Sequence, residues 1–168
     1  MSQVSFENRT VIVTGAGNGL GKAYALDLGS RGAKVVVNDL GGAVDGSGSG
    51  STPADEVVNE IIANGGEAVA NYDSVATKEG GASIVQTAID NFGTVDAVVN
   101  NAGILRDKSF ANMSEEELSL ILDVHLKGTF FVSQPAFKVM KENAYGRIVN
   151  VASPSGLFGN FGQSNYGA

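Results

Sequence analysis

The chain has 168 residues, 43% hydrophobic and 17% charged, enough for one domain with a buried core. It holds no cysteine and a single histidine, which excludes a disulfide framework, a thiolate metal site and a His-rich metal cluster. Its 11 Lys and Arg against 18 Asp and Glu leave a net charge of -7, which argues against nucleic acid or an anionic membrane as the main partner.

Residues 10–14, Thr-Val-Ile-Val-Thr, read as a buried strand, because β-branched apolar residues run on without polar alternation. A Gly-rich segment, 15–21, follows, then a helical stretch to about residue 31 that Gly32 ends. A second strand is expected at 34–38. Residues 41–51 are nearly all Gly, Ser, Ala and Asp and are expected to form a flexible surface loop inside one domain, since sheet elements continue on both sides. Thr52-Pro53-Ala54-Asp55 opens a helix with a capping threonine, a proline in the first helical position and an acid in the first turn. Further strands are predicted at 67–71, 95–100 and 147–152. Before the last of these, Ser114-Glu115-Glu116-Glu117 has capping-box spacing ahead of Leu118, Ile121 and Leu122, and Lys138 and Lys141 suit the negative end of one long helix. Near-continuous hydrophobic strands separated by helices predict an α/β fold, a Rossmann-type doubly wound parallel sheet with helices on both faces, as one domain over 1–168. No internal repeat is visible. The first ten residues are polar, without a signal-peptide core, and apolar runs such as Val35-Val36-Val37 are strand-length, so no membrane association is expected.

The chemistry starts between the first strand and the first helix, in Thr14-Gly15-Ala16-Gly17-Asn18-Gly19-Leu20-Gly21. Glycine there lets the backbone turn sharply, approach a pyrophosphate and pack the helix on the sheet. The helix N-terminus then offers unpaired N–H groups to the phosphates. Gly15, Asn18, Gly19, Leu20 and Gly21 are the candidate contacts. Asp39 ends the second strand 18 residues after Gly21. A carboxylate in that place accepts from adenosine ribose hydroxyls and repels a 2′-phosphate. Its neighbours are Asn38 and Leu40, with no arginine to receive such a phosphate, so the expected cofactor is NAD rather than NADP.

The spacing Gly15-x-x-x-Gly19-x-Gly21 resembles the short-chain dehydrogenase/reductase family. Asp73-Ser74-Val75 after the third strand, Asn100-Asn101-Ala102-Gly103 at the end of the fourth, and Ser153 with Tyr166 13 residues later match the same family in order. The resemblance implies that Asp73, Ser74 and Val75 meet the adenine and that Asn101, Ala102 and Gly103 flank the cofactor, with Asn101 also bracing the sheet. It implies Tyr166 as general base and Ser153 as its partner on the substrate oxygen. Asn38-Asp39-Leu40-Gly41-Gly42, Ala70 to Val75, Asn101 to Asp107 and Gly156 to Tyr166 further resemble one subgroup, the (3R)-hydroxyacyl-CoA dehydrogenase units of peroxisomal multifunctional enzymes and their bacterial single-domain relatives. That implies an acyl thioester substrate, a homo-oligomer (dimer or tetramer), and a location that is cytoplasmic if the source is bacterial and peroxisomal if it is eukaryotic.

Two departures stand out. A free tyrosine ionises near pH ~10, and the family assists it with a lysine four residues on; here the chain ends at Ala168, two residues after Tyr166. The 168 residues alone are therefore expected to be inactive and poorly stable, as a fragment of a longer enzyme. His125 stands where most of the family has asparagine; it is read as a helix-bracing or relay-supporting residue, with a general-base role as the alternative. Two other functions remain open: a ketoacyl-thioester reductase, which would more often use NADPH, and a non-catalytic nucleotide-binding relic.

Overall fold

The computed structural model describes residues 4–42, 45–48 and 52–168. The loop expected at 41–51 falls in part on residues 43–44 and 49–51, which lie outside the described residues.

Five strands, β1 (Thr10–Thr14), β2 (Lys34–Asn38), β3 (Glu67–Asn71), β4 (Ala97–Asn100) and β5 (Arg147–Asn150), form one parallel sheet in the order β3-β2-β1-β4-β5. Ile12 lies opposite Val36 on one side and Val98 on the other, and this register divides the apolar residues between two faces. Ile12, Val36 and Val98 pack with Ile84, Val85, Val132 and Ala136 beneath α3 (Lys78–Phe92) and α5 (Gly128–Glu142). Val11, Val13, Val35 and Val37 face the opposite layer, α1 (Gly19–Ser30) and α2 (Thr52–Ala63), through Ala25, Ala54, Val57 and Ile61. Because both faces are covered, the three central residues of β1 and of β2 are all apolar, which is why they read as runs rather than as alternations. The predicted α/β architecture is the one observed.

Differences in the elements have local causes. The strand expected from residue 95 begins at Ala97; Asp96 turns its carboxylate to Arg9 Nη1 (3.0 Å) and to the Thr10 N–H (2.9 Å), tying the base of β4 to β1. Helix α2 already includes Thr52, one residue earlier than its expected capping role. Helix α3 is not assigned by the sequence reading, because Gly80 and Gly81 weaken its helical propensity. Its ends nevertheless carry signals: the Thr77 hydroxyl accepts from the Gly80 N–H at 3.0 Å, and Gly93 closes it in the left-handed region at φ 79°. The single long helix expected after Ser114 is two helices, α4 (Glu115–Leu122) and α5, joined by one wider π-helical turn over Asp123–Lys127 that contains His125. Two short helices follow β5, α6 (Pro154–Phe158) and α7 (Ser164–Gly167).

Candidate functional site

The strand order reverses between β1 and β4, and a cavity of about 380 Å³ opens there, past the carboxyl ends of β1 to β4. All twelve residues expected to hold a cofactor line it: Gly15, Asn18, Gly19, Leu20, Gly21, Asp39, Asp73, Ser74, Val75, Asn101, Ala102 and Gly103. Leu40, Ile104, Leu120 and Val124 add an apolar wall that the sequence reading does not anticipate. Leu40 and Ile104 fall within motifs that mark their neighbours as contacts, and Leu120 and Val124 sit on α4 and the π turn, where no motif marks them.

The glycine loop is held from three directions. The Asn101 amide donates to the Thr14 and Gly15 carbonyls, both at 3.0 Å, fastening the end of β1 to the end of β4. The Thr14 hydroxyl accepts from the Asn101 and Ala102 N–H groups at 3.1 and 3.0 Å. On the other side, Asp39 accepts from the Gly17 N–H and from the Gly41 N–H, each at 2.7 Å. A side chain at Gly17 would place its Cβ 2.8 Å from the Asp39 carboxyl, and one at Gly21 would collide with the Gly15 carbonyl. The glycine spacing does not mark Gly17 as a contact; the close approach of the Pro53 and Asp39 side chains is what requires glycine there.

The first turn of α1 fits an anionic ligand. Asn18 precedes the helix in an extended conformation, makes no side-chain cap, and no acid lies in the first turn. The N–H groups and the positive dipole end are therefore left facing the cavity. No ion pair among the described residues involves Asp39, so no cation sits on its carboxylate.

Ser153 and Tyr166 are not part of the cavity wall. Ser153 precedes α6 and its hydroxyl accepts from the Ser155 N–H at 3.2 Å. Ser155 Oγ in turn donates to Gln163 Oε1 at 2.8 Å, joining α6 to the segment that leads into Tyr166. Asn165 is fully buried; its amide donates to the carbonyls of Arg106 (3.0 Å) and Glu117 (3.3 Å), and its oxygen accepts from the Tyr166 N–H at 2.9 Å. His125 links this region to the cavity. Its Nε2 lies 2.9 Å from the Ile104 carbonyl and 3.1 Å from the Ile104 N–H, and its ring meets the Tyr166 ring edge-on with centroids 5.0 Å apart. Nothing in the sequence singles out Asn165 beyond its place next to Tyr166.

A family model for short chain dehydrogenases matches residues 9–168. The chain belongs to the short chain dehydrogenase family. It is 59% identical over 98% of its length to a peroxisomal hydratase-dehydrogenase-epimerase of Saccharomyces cerevisiae, of which it covers 18%. It is 59% identical over 96% of its length to a short-chain type dehydrogenase/reductase of Mycobacterium tuberculosis, of which it covers 57%. A short chain dehydrogenase structure from Mycobacterium avium superimposes with a TM-score of 0.88 at 47% identity, over 98% of this chain and 59% of that one. The chain thus spans well under two thirds of each of these short chain dehydrogenase relatives.

Proposed function

We propose that this short chain dehydrogenase segment binds NAD and belongs to an enzyme that oxidises (3R)-hydroxyacyl-CoA thioesters. The observation that carries the reading is the cavity at the strand-order reversal, where all twelve expected cofactor contacts converge. The α1 N-terminus takes the pyrophosphate, Asp39 the adenosine ribose, and Asp73 with Ser74 and Val75 the adenine. A carboxylate has about four lone-pair positions, so Asp39 accepts from ribose hydroxyls while keeping its two backbone donors. The same negative charge, without a paired cation, disfavours the 2′-phosphate of NADP.

The bound nicotinamide supplies the hydride acceptor. Tyr166 takes the proton of the substrate hydroxyl, and Ser153 donates a hydrogen bond to the same oxygen as it becomes a carbonyl. Ser153 suits this because its role at α6 uses only an acceptor position and leaves its O–H free to donate. The thioester substrate rests on the subgroup motifs and on the 59% identity to the yeast hydratase-dehydrogenase-epimerase. A dimer or tetramer through the α4–α5 face fits the exposure of Leu126, Phe130 and Phe137 there.

The test is an absorbance assay at 340 nm on the protein from its natural source, with NAD and each enantiomer of a 3-hydroxyacyl-CoA. Reduction of NAD with the (3R) but not the (3S) thioester is expected, abolished by Tyr166→Phe. Activity confined to NADPH and a ketoacyl thioester would install the reductase reading; no turnover with either pair would install the relic.

A further inference from the structure

Beneath the adenine end of the cavity lies a chain of buried polar side chains that the proposed function leaves unused. Asn38 ends β2 and Asn71 ends β3, and the two are paired in register. Asn38 is 2% and Asn71 6% exposed. Buried amides cost stability unless their hydrogen bonds are made, so their partners are informative.

Asn71 makes all four bonds its amide can form. Its oxygen accepts from Asn38 Nδ2 at 2.8 Å and from the Asp73 N–H at 3.0 Å. Its nitrogen donates to Asp73 Oδ2 at 2.9 Å and to Thr87 Oγ1 on α3 at 3.0 Å. Asn38 Nδ2 also donates to the Asp73 carbonyl at 2.9 Å, and Thr87 Oγ1 passes its own hydrogen to the Ser83 carbonyl at 2.9 Å. The direction of every bond is thereby set. Turning the Asn71 amide over would oppose its N–H₂ to that of Asn38 and to the Asp73 N–H, and would leave the Asp73 carboxylate facing an oxygen.

Asp73 itself lines the cavity. One of its carboxylate oxygens is committed to Asn71, and the other has no protein donor among the described residues. We infer that the Asn38–Asn71–Thr87 relay positions the Asp73 carboxylate so that its free oxygen selects for a donor on the ring of the bound base, making Asn71 and Thr87 positioning residues for base selectivity. This rests on the reading that Asp73 meets the adenine. The donor in question is the exocyclic amino group of adenine, and a hypoxanthine ring, with an oxygen in that place, presents none.

The experiment is a fluorescence titration of the protein with NADH and with reduced nicotinamide hypoxanthine dinucleotide. In the native protein NADH is expected to bind about tenfold tighter, the worth of one hydrogen bond to a charged group. Asn71→Ala removes the whole junction. Thr87→Val is a near-isosteric change at a half-buried site that removes the acceptor for Asn71 together with the hydroxyl's own bond to the Ser83 carbonyl within α3, and it serves as the variant expected to stay folded. Both are expected to bring the ratio of the two Kd values to within about twofold of one, chiefly by weakening NADH. A purely structural role would weaken both dinucleotides together and leave the ratio intact. If the native protein discriminates and Thr87→Val keeps the full ratio, the relay is overturned. If the native protein does not discriminate at all, the adenine reading of Asp73 fails first and the relay with it.

Discussion

Asp39 accepts a hydrogen bond at each carboxylate oxygen, from the Gly17 N–H and the Gly41 N–H, so replacing it does more than remove a charge. The glycine loop loses the anchor that holds it on the β2 side. Asp39→Ala is therefore expected to weaken NADH by about tenfold or more without gaining affinity for NADPH, because the loop that receives the pyrophosphate loosens for both. Titration of the variant with each dinucleotide checks this; a clean exchange of preference, with NADPH bound as tightly as NADH was, would show that Asp39 acts by charge alone. His125 is a second residue whose contacts decide its role. Its Nε2 is engaged by the Ile104 backbone, which favours bracing over proton transfer to substrate. His125→Asn is expected to keep kcat within about threefold, while His125→Ala loses both the Nε2 hydrogen bond to the Ile104 backbone and the edge contact to Tyr166, with a fall in kcat of about tenfold and a lower Tm. Six of the twelve cavity residues, Gly15, Asn18, Gly19, Leu20, Gly21 and Asp39, are legible from glycine spacing and a strand-end acid, which are local patterns, and the six at 73–75 and 101–103 come from the family resemblance. The partners of Asn71 and His125 are not legible, since bonds that join residues 16 to 33 positions apart leave no local mark.

At the scale of elements, start signals are the most reliable guide. The box expected at Ser114 is present: the Ser114 hydroxyl accepts from the Glu117 N–H at 3.1 Å, and Glu117 accepts from the Ser114 N–H at 2.9 Å. The donor from the Ser114 backbone lowers the Glu117 pKa below its ordinary value of 4.5. A carboxyl with a depressed folded pKa contributes stability that is fully present above its unfolded value and is lost as pH falls through the folded one. Unfolding midpoints between pH 7 and 3 should therefore fall less steeply in Glu117→Gln than in the native protein. Ser114→Ala is expected to cost about 1 kcal/mol at pH 7, read as a drop in Tm of a few degrees; unchanged midpoints in both variants would contradict the box as a stabilising cap. What the periodicity does not reveal is the π turn at Asp123–Lys127, because a single inserted residue in a helix shifts the apolar stripe without erasing it. That turn sets His125 against Ile104 and Tyr166, so the one misread stretch of helix is also the one that bears on the site.

Across the whole molecule, cover is uneven. The β1 and β2 side chains are almost wholly buried, whereas β5 is exposed along its length, with Ile148 39% and Val149 51% accessible. An exposed apolar strand with one unpaired edge is a template for association. The 168 residues on their own are expected to associate with rising concentration, and Val149→Lys should reduce that association in sedimentation runs. Equal association of the variant would move the cause elsewhere. The parallel sheet is readable from the sequence because strands covered on both faces are continuously apolar; β5, with its Arg147 and Asn150 ends and exposed faces, shows the limit of that signal.

In the proposed function the cavity at the strand-order reversal is an NAD site governed by Asp39. Titrating the protein with NADH and with NADPH, followed by nicotinamide fluorescence, tests it most directly. Saturable NADH binding about tenfold or more tighter than NADPH is the predicted result. Equal or tighter NADPH binding, or no saturable binding of either, would contradict it.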